Sequence, residues 1–366
     1  MGDCDFMSNF EFTRRGRLIV APSGMPTAGP YYTTLVAMKD VENFPFDYAL
    51  YFSTDHENGP GGVWLYVCDG LPTDARNWKS YDEAVVDGDF DHVTNIPAAN
   101  PIYQDPVQGT GHTETPHANV IDGTVYMTYH KNGIEDTQRT LLATSDDGVN
   151  FSRINGDDDS VVLRYDANED VGDGHTGYFR WAVNPFSGIA QKFVGYSLHG
   201  GGDDYHSAIW VSDDAMEWDK LDVFTPTEGF TVEKDRMIIW HELDPASITQ
   251  LDNGEYVAIC GVGNRASGSV ERISELYEIY LGDDGRTLKR ESCKLLGRDR
   301  SEAGDAEELA SPTTMVIDDE YHLVYIGASR KGSVNIIMGA IGSLDKSQPQ
   351  SVALDAAEQT RHLYRD

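Results

Sequence analysis

The chain sets 28 Lys and Arg against 61 Asp and Glu in 366 residues, a formal net charge of −33; a field of that sign excludes nonspecific binding to nucleic acid or an anionic membrane as its main role. Hydrophobic residues reach 40% and aromatics 10%, enough for a sizeable core, so disorder of the whole chain is excluded too. Asp outnumbers Glu 40 to 21 and Lys is held to 10, a bias that suits a surface kept soluble at high salt, where self-repulsion is screened.

Taken from the N-terminus, Met1 to Phe12 hold no cationic stretch leading into an apolar run, and no window approaches about 18 continuous apolar residues. The expectation is a soluble, cytoplasmic protein. Cys4, Cys68, Cys260 and Cys293 are scattered without a CxxC or Cys/His cluster, which predicts four reduced thiols and neither a zinc site nor a disulfide framework. Short aromatic and β-branched runs bounded by Gly, Asp and Asn then recur to the far end and predict an all-β chain. An opening strand near Gly29-Pro30-Tyr31-Tyr32 precedes the aromatic strand at Tyr48–Ser53, and 76–112 reads as a long insertion. A Pro-marked polar strand at Glu114–Val120, an Asp122-Gly123 turn, an aromatic strand at Tyr126–His130, a third strand at Leu141–Ser145 and a fourth near Asn150–Arg153 make the next unit. The pattern returns with Arg180–Pro185, Phe193–Ser197, Ala208–Ser212 and Glu217–Lys220. It returns again with Glu242–Ile248 and Tyr256–Cys260, and finally with Glu308–Thr314, Tyr321–Tyr325 and Ile336–Ala340.

The first aromatics of the five aromatic strands are separated by 78, 67, 63 and 65 residues. Four strands per unit, five times over, predict a five-bladed β-propeller of four-stranded antiparallel blades. A two-sheet sandwich would not show that spacing. The expected blades are 18–90, 112–165, 176–225, 238–295 and 306–343 of one domain, with a polar tail over 345–366. The last unit is short of a fourth strand, and the Arg17-Leu18-Ile19-Val20 run is the expected closure.

Inner strands that open on acidic, Pro-marked segments, with turns reading Ser145-Asp146-Asp147-Gly148 and Ser212-Asp213-Asp214-Ala215, resemble the five-bladed glycoside hydrolases of families 32, 43, 62 and 117. The stretch Glu114–His130 carries the strongest likeness, and the resemblance spans roughly residues 20–343. It implies a glycosidase with an axial pocket walled by the heads of the inner strands, where three acids act as base, acid and orienting carboxylate. One departure stands out: near Gly29–Thr34 no Asp occupies the place where these families put their base.

Because inner strands converge on the axis, residues at their heads can share a pocket. Glu114, Glu242, Asp244 and His117 are the catalytic candidates, since glycoside hydrolysis needs one carboxyl to protonate the leaving oxygen and another to activate water or attack. Glu242 and Asp244 alternate onto one strand face. A His can carry a proton near neutral pH, and family 117 implies a His as the acid. Arg180, Trp181, His175, His241, Glu308 and Tyr32 are the expected substrate-binding residues, Arg180 for a carboxylate and the aromatics for sugar faces. Each has a plain structural alternative: a turn cap, an internal ion pair or core filling. No HxH or HExxH spacing appears, so no catalytic metal and no required cofactor is expected. The oxygen-rich Asp166–His175 could hold a structural Ca²⁺, but it lacks the EF-hand spacing and a solvated acidic loop is the preferred reading. A carbohydrate is the expected partner. The alternatives to hydrolysis are a lyase acting on a uronate-containing glycan and a non-catalytic carbohydrate-binding propeller.

Overall fold

A computed structural model describes residues 8–19, 29–54, 61–106, 112–134, 137–154, 160–164, 175–199, 206–224, 236–266, 269–298, 308–328 and 335–347. Twenty strands form five separate four-stranded antiparallel sheets. The first blade joins β2 (Tyr31–Ala37), β3 (Tyr48–Ser53), β4 (Val63–Cys68) and β5 (Trp78–Ser80). The second joins β6 (Thr113–Ile121), β7 (Thr124–Ile134), β8 (Thr137–Ser145) and β9 (Ser152–Arg153). The third runs β10 (Thr176–Val183), β11 (Phe193–His199), β12 (His206–Ser212) and β13 (Asp219–Phe224), and the fourth β14 (Arg236–Gln250), β15 (Tyr256–Ala266), β16 (Ser269–Leu281) and β17 (Leu288–Leu296). In the fifth, β18 (Glu308–Ile317), β19 (Glu320–Ala328) and β20 (Asn335–Leu344) are completed by β1 (Phe10–Ile19). The Arg17–Ile19 run therefore closes the ring, within a strand that begins seven residues earlier.

The aromatic strands are second in every blade. They are covered on both faces, which is why β3 and β11 are buried almost throughout and read as continuous apolar runs rather than alternating ones. Apolar clusters fill all five seams between successive blades: blades one and two meet through Val36, Tyr51, Met127 and Tyr129, two and three through Leu142, Phe179 and Trp181, and three and four through Tyr196, Trp240 and Ile279. Leu276 with Tyr325, and Leu50 with Ile326, mark the last two seams. Each first strand touches the next around the ring, β2 on β6, β6 on β10, and so on to β18 on β2.

Four of these first strands share an irregularity. Tyr32, Thr115, Tyr178 and Ser311 adopt φ values of 54°, 47°, 54° and 49°, each at a break in pairing register with the second strand. Such a bulge rotates the strand and re-aims the side chains around it. Two further points differ from expectation. The segment 76–112 contains β5, the fourth strand of the first blade, followed by helix α1 (Tyr81–Asp87), capped reciprocally by Ser80 and Glu83 and ended by Gly88 at φ 81°. Cys68 and Cys260 are free and buried, whereas Cys293 is disulfide-bonded, which corrects the expectation of four reduced thiols. Among the described residues no helix is long and apolar enough to cross a membrane.

Candidate active site

The bulges decide what the axis presents. At the head of the second blade, Glu114 is buried and its Oε1 meets His112 Nε2 at 3.1 Å and His130 Nδ1 at 3.0 Å. His112 immediately precedes β6, two residues from Glu114, and antiparallel register sets His130 of β7 opposite Glu114. In the third blade Tyr178, half-buried, is surrounded by rings: Tyr32 at 5.1 Å, His130 at 5.0 Å, His241 at 5.4 Å and His175 at 5.5 Å between centroids. Heads from four blades thus meet at one place. Tyr31, Tyr32, Tyr178, His175 and His241 keep partial exposure there.

The Tyr32 phenol ties this group to the carboxyls. Burial holds its pKa well above 10, and the charges of Tyr178, Glu114 and Glu242 push the same way. Glu114 of blade two and Glu242 of blade four therefore act on one phenol from blade one. Glu242 is buried, accepts the Ser311 N–H at 2.7 Å, and has its pKa raised by burial against the opposing charge of Arg180. Asp244, two residues on, accepts from Thr314 Oγ1 at 2.6 Å and Ala246 N–H at 3.2 Å; burial pushes its carboxyl up to about 6. Both carboxyls thus reach from β14 toward β18, as their alternation requires.

The remaining candidates divide. Arg180 is buried and donates to the carbonyls of Pro312 at 2.7 Å and Thr33 at 2.9 Å, so one guanidinium of β10 ties β18 to β2 across the axis. His117 is buried, with Nε2 at 2.7 Å from the Trp181 carbonyl; burial and Arg180 bring its pKa down to about 3, and it stays neutral at physiological pH. Trp181 lies fully in the seam between blades two and three against Phe193 and Trp218, with no face open to a sugar. His175 and His241 do face the shared space, and burial first lowers their pKa values to about 2 and about 3. The side chain of Glu308 and residues 166–174 of the candidate Ca²⁺ segment lie outside the described residues. Two contributors, His130 and Tyr178, were not singled out from the sequence. The usable signal was cross-strand register, and it is hidden by the bulge between Glu114 and His117.

No protein-family model matches the chain, and no curated protein matches it either. Solved structures share its fold at low identity. A glycoside hydrolase superposes with a TM-score of 0.61 at 12% identity, covering 94% of this chain and 95% of its own. An N-acetylgalactosamine deacetylase from F. plautii, solved with blood group B trisaccharide, gives 0.53 at 12% identity, with 92% and 96% covered. An α-L-arabinofuranosidase from Podospora anserina, solved with cellotriose, gives 0.51 at 12%, with 91% and 97% covered. The chain shares with all three a five-bladed β-propeller fold spanning nearly its whole described length.

Proposed function

We propose that the axial pocket binds an oligosaccharide and hydrolyses a glycosidic bond, with Glu242 protonating the leaving oxygen and Glu114 on the side of the attacking water. The observation that carries this is the burial of Glu114 and Glu242 on the inner strands of two different blades, close enough for both charges to act on the Tyr32 phenol, because a pair of carboxyls in contrasting environments is what this chemistry needs. Burial favours the protonated form of Glu242. Glu114 instead sits between two imidazoles, an environment unlike that of Glu242. Half-buried Tyr31, Tyr32 and Tyr178 supply ring faces for sugar. The names of the structural neighbours, two of them glycosidases by name, support a carbohydrate substrate.

The test is reducing-sugar release from a panel of plant and algal oligosaccharides in high salt. Glu242→Gln should cut kcat by about 10²-fold or more, and Glu114→Gln should do likewise; full rates in both variants would refute the assignment. For the wild type, kcat/KM should fall as pH rises through the raised pKa of Glu242. A second reading has its own observation: Tyr32 and Tyr178, joined by a side-chain hydrogen bond, stand where an acid is missing from the first blade. Only the phenolate form of such a ring can take the α-proton of a uronate; the raised pKa of Tyr32 confines that form to alkaline pH, where such a lyase would release products that absorb in the ultraviolet through a new double bond.

A further inference from the structure

We propose that His112 Nε2, Glu114 Oε1 and His130 Nδ1 bind one divalent transition-metal ion, zinc(II) being the best chemical match, at the head of the second blade. The three ligand atoms lie within 4.8 Å of one another, and the two contacts to Glu114 Oε1 are 3.1 and 3.0 Å. Ligand bonds of about 2.0–2.1 Å at tetrahedral angles separate donor atoms by a little more than the two contacts to Glu114 and by less than 4.8 Å, so an ion enters after small shifts of the side chains. Two imidazoles with one carboxylate make a borderline-soft donor set that favours zinc over magnesium or calcium. All three side chains are buried, at 7%, 1% and 0% exposure, unlike an acidic surface cluster that collects cations loosely.

Independent features point into the same place. His175 stacks on His130 at 5.0 Å, and its buried Nε2 has no hydrogen-bond partner among the described residues. Gly177 makes that approach possible: a Cβ there would stand 2.8 Å from His175 Nε2 and 3.0 Å from His130 Nε2. The backbone between the first two ligands is fixed as well, since Gly62 N–H donates to the Thr113 carbonyl at 2.7 Å. Three protein ligands leave a coordination position open, the pattern of a catalytic rather than a structural zinc site. Water or a substrate oxygen would fill it. Only this catalytic consequence rests on the hydrolytic reading; binding of the ion does not.

The 366-residue chain, stripped with EDTA and kept in high salt, is titrated calorimetrically with zinc chloride and followed by visible absorption with cobalt chloride. One zinc per chain and the ligand-field bands of a low-symmetry cobalt site are expected. His112→Asn and His130→Asn should each weaken zinc by at least about 100-fold, since loss of outer-shell partners alone costs up to that much. Weak binding at many sites, unchanged in both variants and without cobalt bands in the wild type, would overturn the proposal. If zinc binds stoichiometrically and no glycan is cleaved, the hydrolytic reading fails and the site stands. If Glu242→Gln abolishes cleavage and zinc does not bind, the site fails and the reading stands.

Discussion

Asp244 shows what burial does to a single residue on this axis. Its carboxyl rises from 3.8 to about 6, chiefly through desolvation, although Arg180, Thr314 and Ala246 all favour the ionised form. A folded-state pKa above the unfolded one means that the native protein binds the proton more tightly. The resulting stability is fully present below about pH 4 and is lost as pH rises through about 6. At about 1.4 kcal/mol per unit the loss amounts to roughly 3 kcal/mol. Asp244→Asn cannot ionise, so the stability of the wild type should fall relative to this variant between about pH 4 and about pH 7, as measured by denaturant unfolding at each pH. A difference that is constant across that range would refute the argument. Glu114, Glu242 and Asp244 were legible in the sequence because acids beside Pro at regular intervals mark inner-strand heads. His130 and Tyr178 were not, because their partnership runs across a register break, and a one-residue change in pairing sends a side chain to the opposite face. Arg180 and Trp181 carried the right residue types for sugar binding but fold into a strut and a seam, a distinction that needs tertiary contacts.

At the level of elements, the repeat was visible because second strands covered on both faces must be aromatic or aliphatic throughout, and five such runs at near-constant spacing fit a ring of equal blades and not a two-sheet sandwich. The three-residue β5 was invisible: so short a strand carries no periodicity. Packing between first and second strands is tightest where β11 passes Gly195. A Cβ at that glycine would collide with the Phe179 ring and stand 2.9 Å from Trp181 Cβ. Phe179 cannot swing away freely, since it packs edge-on against Trp218 at 4.8 Å and is almost fully buried. Gly195→Ala should therefore destabilise by about 1–3 kcal/mol, read as a lower denaturation midpoint at unchanged slope. An unchanged midpoint would mean that this seam has slack.

Over the whole molecule, two features join distant parts of the chain: the closing strand and the charge. β1 is held by more than its pairing with β20. The N–H groups of Asn9 and Phe10 donate to the Glu278 carboxylate of the fourth blade at 3.0–3.1 Å, and Arg290, stacked 3.5 Å over the Tyr280 ring, donates to Asn9 Oδ1 at 3.0 Å. Glu278→Leu would leave two buried amides without their acceptor at about 1–3 kcal/mol each, and urea unfolding should show a loss of at least about 2 kcal/mol; no loss would mean that strand pairing alone closes the ring. The charge works against that closure, because −33 spread over one compact ring repels itself. At about 0.1 M salt the Debye length is about 10 Å, long enough for charges on neighbouring blades to feel one another; at about 1 M it is about 3 Å and only touching charges interact. The thermal midpoint should therefore climb steeply in potassium chloride up to about 1 M and more gently above it. Because screening acts on the repulsion and not on the apolar seams, Gly195→Ala should shift that curve downward without changing its shape. A midpoint that is flat or falls with salt would show that favourable ion pairs outweigh the repulsion, and the Asp-rich composition would then have a cause unrelated to salt.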